Sequence, residues 1–118
     1  MISRILGHKK LIIFGCGDNG SGILSLLLRH NINEIVCMSD NDERKWGQQH
    51  MGIYVVPPKE LRVDKEIIIL VANKKNFSEI RAQLLSLGIS TEQIWLAPQI
   101  MRYRGTNLMM PGDILPVK

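Results

Sequence analysis

Apolar residues fall into short unbroken runs divided by polar, glycine-containing stretches, and two kinds of run alternate along the chain. Lys9-Lys10-Leu11-Ile12-Ile13-Phe14 is apolar at successive positions, which predicts a strand buried on both faces. From Asn19 or Gly20 to about Arg29 the spacing changes, and Ile23, Leu24, Leu27 and Leu28 form the broad apolar face of a helix. Asn31-Ile32-Asn33 reads as a loop, and Glu34 to Ser39 as a second strand closed by Asp40-Asn41-Asp42. A polar connection through Arg44, Lys45, Trp46 and Gly47 leads to a short third strand, Gly52 to Val56, stopped by Pro57-Pro58. Pro58 to Leu61 reads as one helical turn, with proline placed early where its missing N–H costs little.

Lys65 to Ala72 is the clearest strand, continuous and β-branched as a central parallel strand should be. Asn76 and Glu79 then form a capping-box-like pair opening a second helix, with Phe77, Ile80, Leu84 and Leu87 inward and Gly88 as its stop. Thr91-Glu92-Gln93 predict a turn and Ile94-Trp95-Leu96 a fifth strand. Strands alternating with helices predict an α/β fold: a small Rossmann-like, doubly wound parallel sheet with helices on both faces. Right-handed crossovers then give the strand order 3-2-1-4-5. Residues 1–97 are expected to form this nucleotide-binding domain. Residues 98–118, with Met101, Met109 and Met110 and no sustained period, read as a C-terminal extension to which the pattern assigns no structure, the alternatives being that it wraps the domain, contacts a partner or is partly disordered.

Composition adds limits. The chain has 118 residues, 45% hydrophobic and 22% charged, enough for one core and too few for two. Its longest apolar run, Ile67 to Ala72, is far short of the ~18 residues a membrane span needs, and no signal peptide is evident, so a cytoplasmic location is expected. The net charge is +4 and the pI near 9.3, yet the basic residues are scattered rather than striped with aromatics, so no nucleic-acid partner is expected. Two cysteines, Cys16 and Cys37, and three unclustered histidines, His8, His30 and His50, make no metal set, and the histidines read as surface residues. Cys16 reads as a space-filling side chain with no nearby activating base.

The chemistry concentrates in Gly15-Cys16-Gly17-Asp18-Asn19-Gly20, a G-x-G-x-x-G run between a strand and a helix. Gly15 permits the tight turn, Gly17 the approach of a pyrophosphate, and Gly20 close packing of helix on strand. The helix N-terminus offers N–H donors and a positive dipole end. Asp40 lies 20 residues after Gly20, where a carboxylate accepts from a ribose and repels a 2′-phosphate, so NAD is expected over NADP. Arg44 and Lys45 work against that choice, being able to reach a phosphate. Asp18 is expected to point to solvent, while Asn19 and Ser21 either donate to a ligand or cap the helix. Asn41 follows Asp40, and Asn73 and Lys74 follow the fourth strand at the ligand-binding edge of the sheet. These ten positions, 15–20, 40, 41, 73 and 74, are the expected cofactor contacts. No catalytic residue is expected.

"LIIFGCGDNG", "IVCMSDNDERKWGQQHMGIYVVPPKEL", "IIILVANKKNFSEIRAQLLSLGI" and "EQIWLAP" together resemble the small Rossmann-like domains of bacterial surface-polysaccharide proteins. The second stretch is similar to the N-terminal domains of nucleotide-sugar epimerases and dehydratases. The resemblance covers Lys10 to about Pro98 and implies an NAD- or nucleotide-sugar-binding module, with Gly15, Gly17, Gly20 and Asp40 at the binding positions. It departs from those enzymes in lacking a Tyr-x-x-x-Lys pair, since Tyr54 is followed by Pro58 and Tyr103 by Asn107. Hexapeptide repeats of sugar acyltransferases are absent as well. The expected partners are therefore a dinucleotide or nucleotide sugar, with a second copy of the chain or a fused catalytic domain completing any active site. An NAD-dependent oxidoreductase or epimerase and a non-catalytic assembly domain stand as alternatives.

Overall fold

The computed structural model describes residues 10–32 and 34–98, with the backbone of 115–116. Asn33, His8 and Lys9 lie outside the described residues, as do Met101, Met109 and Met110 of the extension. In chain order the elements are β1 (Lys10–Phe14), α1 (Asp18–Arg29), β2 (Ile35–Ser39), β3 (Gln49–His50), β4 (Ile53–Val56), β5 (Ile67–Val71), α2 (Phe77–Ser86), β6 (Ile94–Leu96) and β7 (Leu115–Pro116). Single 3-10 turns stand at Glu43–Lys45, Pro58–Glu60 and Thr91–Gln93. The sheet runs β3-β4-β2-β1-β5-β6-β7. Its five central strands, β4-β2-β1-β5-β6, are parallel and follow the expected 3-2-1-4-5 order. What the sequence reading lacked are the edges: β3 and β7 add antiparallel, on β4 and β6 respectively.

Successive side chains of a strand point to opposite faces, so an unbroken apolar strand must be covered twice. Leu11 and Ile13 of β1 and Ile68 and Leu70 of β5 pack with Ile23, Leu24 and Leu27 of α1. Ile12 and Phe14, with Ile67, Ile69 and Val71, pack on the other face with Ile80 and Leu84 of α2. Between β4 and β5, where a larger doubly wound sheet has a crossover helix, the chain has only the Pro58–Glu60 turn.

Both helices end in the same hydrogen-bonded stop. Gly88 N–H donates to the Leu85 carbonyl and Ile89 N–H to the Leu84 carbonyl, with Gly88 at φ +91°. At the end of α1 a non-glycine takes that place: Asn31 at φ +61° donates to the Leu28 carbonyl and Ile32 to the Leu27 carbonyl. Two local expectations are corrected here. Leu87 is 46% exposed because it sits at the cap, and Ile89, just beyond the stop, enters the core in its place. Asn76 precedes α2 without a side-chain cap bond, because its backbone (φ −107°, ψ 20°) lies outside the extended region that folds a cap back on the helix. Instead the Asn73 side chain accepts from Asn76 N–H at 3.1 Å.

Candidate functional site

Parallel strands deliver all their carboxyl ends to one edge, and a crevice opens there where neighbouring crossovers depart to opposite faces. In this sheet that point lies between β1 and β5, whose following helices cover opposite faces. Two adjoining clefts, of about 590 and 420 Å³, open at this edge and share Gly15, Asp40, Asp42 and Asn73.

The smaller cleft is built on the glycine turn. β1 ends at Phe14, Gly15 turns the chain at φ +103°, and Gly17 stands before the first residue of α1. The three glycines have different reasons to be glycine. Gly15 occupies a backbone region that L side chains rarely adopt. A Cβ on Gly20 would overlap the carbonyl of Gly15, so the helix start and the turn touch backbone to backbone. Gly17 has an ordinary φ of −79°, and a Cβ there would meet nothing nearer than Lys45 Nζ at 3.8 Å. Nothing in the described fold requires Gly17 to lack a side chain. It faces the cleft.

Asp40, at the end of β2, holds the turn. One carboxylate oxygen accepts from Cys16 N–H at 2.9 Å and faces the Cys16 thiol at 3.4 Å. The other accepts from Asp42 N–H at 2.8 Å, and the Trp46 indole N–H donates to the Asp40 carbonyl at 2.7 Å. Trp46 also packs on the core. Cys16 is buried, and burial, then the Asp40 charge, then the hydrogen bond to Asp40 push its thiol up to about 12. Burial raises Cys37 to about 11. Both groups keep their protons when folded and lose them near their ordinary value, about 9, when unfolded. Their contribution is therefore complete below pH ~9 and is lost as the pH rises toward the folded values. At pH 8 the thiolate fraction of Cys16 is roughly a thousandfold below that of an ordinary thiol. Alkylation by iodoacetamide should accordingly leave Cys16 unmodified in the native chain and label it in guanidinium. Native labelling at the rate of a free thiol would contradict this environment.

Lys45, Lys74 and Lys75 converge on the smaller cleft from two loops that lie 29 residues apart between Lys45 and Lys74. Arg44, read from sequence as a second phosphate-reaching cation, lines neither cleft and is paired with Asp42. Its Nε and one terminal nitrogen each donate to Asp42 at 3.0 Å. Those bonds to Arg44 hold the Asp42 carboxyl below the usual carboxylate range.

Other expected contacts are placed as follows. Asp18 is exposed in the first turn of α1 and lines neither cleft. Asn19 lines the smaller cleft, and its side-chain amide is bonded within the fold. Its amide nitrogen donates to the carbonyls of Ala72 at 3.1 Å and Pro98 at 3.0 Å, strapping α1 to the ends of β5 and β6. Ser21 also departs from expectation, its hydroxyl lying 3.4 Å from His50 Nδ1, which makes His50 a packed rather than a freely exposed residue. Asn73 lines both clefts and Lys74 the smaller one. Asn41 lines the larger cleft, paired to Gln83 of α2, a residue that no spacing in the sequence points to. Among the described residues there is no group of three or more His, Cys, Asp or Glu that could hold a metal, and no helix long and apolar enough to cross a membrane.

A family model described as C2185-like, N-terminal, matches residues 7–95. No curated protein matches the chain. Among solved structures, the chain is similar to RSP, a Rex-family repressor, at 21% identity and a TM-score of 0.62, over 96% of this chain and 55% of that one. The structure of RSP in complex with β-NADH matches at 20% identity and a TM-score of 0.58, over 96% and 55%. The structure of RSP with β-NAD⁺ and operator DNA matches at 21% identity and 0.59, over 94% and 52%. The chain thus spans about half the length of the structures it matches. These likenesses establish a Rossmann-like fold. They do not single out the nucleotide-sugar epimerases and dehydratases, nor a role in polysaccharide synthesis. The expectation of no nucleic-acid partner is overturned, because a neighbour of this fold is described in complex with operator DNA. Scattered basic residues were too weak a ground for that exclusion, since a ligand-binding domain can belong to a DNA-bound assembly without a basic stripe of its own.

Proposed function

The chain belongs to the C2185-like, N-terminal family, and we propose that it acts as an NAD(H)-binding module of Rossmann type. One observation carries the reading. Gly17 lacks a side chain where backbone angle and packing leave room for one, and the space it leaves lies under Lys45 in the cleft. A ligand approaching the backbone accounts for that; fold stability does not, since Ser, Asp or Asn at this position would cap the helix better. The pyrophosphate would be held by the backbone of the glycine turn with Lys45, Lys74 and Lys75, and a ribose by Asp40. Asp40 disfavours a 2′-phosphate, and Arg44, bound to Asp42, does not offset it, so the reading favours NAD(H) over NADP(H). The neighbours' descriptions with β-NADH and with β-NAD⁺ support the same cofactor.

We assign the module a sensing rather than a catalytic role. The support is the neighbour, a repressor described with both forms of the cofactor and with operator DNA. On this reading the nicotinamide cofactor pool of the cytoplasm is what it samples, and a further domain or partner carries the DNA contact. Isothermal titration with NAD⁺, NADH, NADP⁺, a UDP-sugar and coenzyme A tests it. Saturable binding of NAD⁺ or NADH, with NADP⁺ weaker, is expected. A response to the UDP-sugar alone would transfer the site to nucleotide sugars, and silence toward all five would leave only an assembly role.

A further inference from the structure

The larger cleft carries a feature that holding a pyrophosphate and ribose does not use. Asn41, in the loop after β2, and Gln83, on α2, exchange two hydrogen bonds: Asn41 Nδ2 to Gln83 Oε1 at 2.9 Å and Gln83 Nε2 to Asn41 Oδ1 at 2.8 Å. The pair spans the cleft wall, whose floor includes Phe14 and Ile80. Asn41 is exposed and Gln83 half-buried, so water competes for both bonds and the pair adds little to stability. Each amide nevertheless presents a donor and an acceptor side by side. That is the edge with which Asn or Gln matches the N6/N7 edge of adenine, accepting from its amino group and donating to ring nitrogen N7.

We propose that Gln83 reads the base of the dinucleotide, exchanging its two bonds with Asn41 for two bonds to adenine. The exchange conserves the number of hydrogen bonds, so its cost is small, and contact of the base with the cleft floor and the phosphate contacts drive it. Asn41 keeps the Gln83 amide in place until the base arrives. Hypoxanthine replaces the amino donor by a carbonyl acceptor, so the Gln83 carbonyl would face another acceptor. The inference rests on the NAD(H) reading and adds to it a preference for the base, which the glycine turn, the lysines and Asp40 do not provide.

Calorimetric titration of the 118-residue chain with NAD⁺ and with nicotinamide hypoxanthine dinucleotide separates the two claims. The wild type is expected to bind NAD⁺ roughly tenfold or more tighter than the hypoxanthine analogue. Gln83→Leu should bring the two within about twofold, chiefly by weakening NAD⁺. Gln83→Glu keeps the acceptor for the amino group and loses only the donor to the ring nitrogen that both bases share, so it should weaken both dinucleotides and keep the preference for NAD⁺. Equal binding of both dinucleotides by the wild type, an unchanged ratio in Gln83→Leu, or loss of the preference in Gln83→Glu overturns the role of Gln83 and leaves the NAD(H) reading intact. No binding of NAD⁺, NADH or the analogue overturns both.

Discussion

A Gly17→Val chain is expected to fold nearly as well as the wild type and to lose NAD(H) binding. The backbone at Gly17 (φ −79°, ψ −157°) is extended and open to valine, and the added Cβ meets only the end of a flexible lysine. The helix loses a modest N-cap preference, about 1 kcal/mol or less, which for a domain of this size lowers the melting temperature by no more than about 4–8 °C. The same methyl groups fill the path by which phosphate oxygens reach the N–H groups of the turn. Two charge-assisted hydrogen bonds at about 1.5–3 kcal/mol each make the loss on the order of a hundredfold or more in Kd. Calorimetry and a thermal melt on the same sample decide it. A folded variant that binds as tightly as the wild type would place the ligand elsewhere and remove the central support for the proposed function.

Gly20→Ala is expected to do the reverse, damaging the fold first. Its Cβ would overlap the Gly15 carbonyl, a backbone group held in place because Gly15 N–H donates to the Ser39 carbonyl at 2.7 Å. Alanine is the better helix former by about 1 kcal/mol, and in an exposed helix it would stabilise. Here the overlap wins, because relieving it means separating α1 from the end of β1 and disturbing the Asp40 contact to Cys16 N–H. A net loss of about 2 kcal/mol or more is expected, a fall of roughly 10 °C in melting temperature. Cofactor binding should weaken along with stability. An unchanged or raised melting temperature would show that the turn and helix can part at little cost, and that Gly20 is not there for packing.

The contrast between these two glycines marks a limit of sequence reading. G-x-G-x-x-G shows three glycines of equal rank, and general knowledge of the motif divides the labour among them. Only the folded structure distinguishes Gly15 and Gly20, which the fold demands, from Gly17, which it does not. The cap of α2 shows the same limit. Asn76 and Glu79 have the right spacing for a capping box, but the turn formed by Asn73 takes the Asn76 N–H first. The short edge strands β3 and β7, two residues each, carry no periodicity to detect.

By itself the sequence determined the parallel order of the central strands, the two-sided core and the place of the glycine turn. Each of these follows from local pattern: unbroken β-branched runs demand cover on both faces, and crossovers between parallel strands have one hand. The tertiary structure alone decided which side chains share the clefts. Lys45 joins Lys74 and Lys75, Asn41 finds Gln83 across 42 positions, and Asn19 straps α1 to two strand ends. Such meetings depend on where separate loops end at one sheet edge. Periodicity reports which face a residue occupies, and carries no information about its partner on another element.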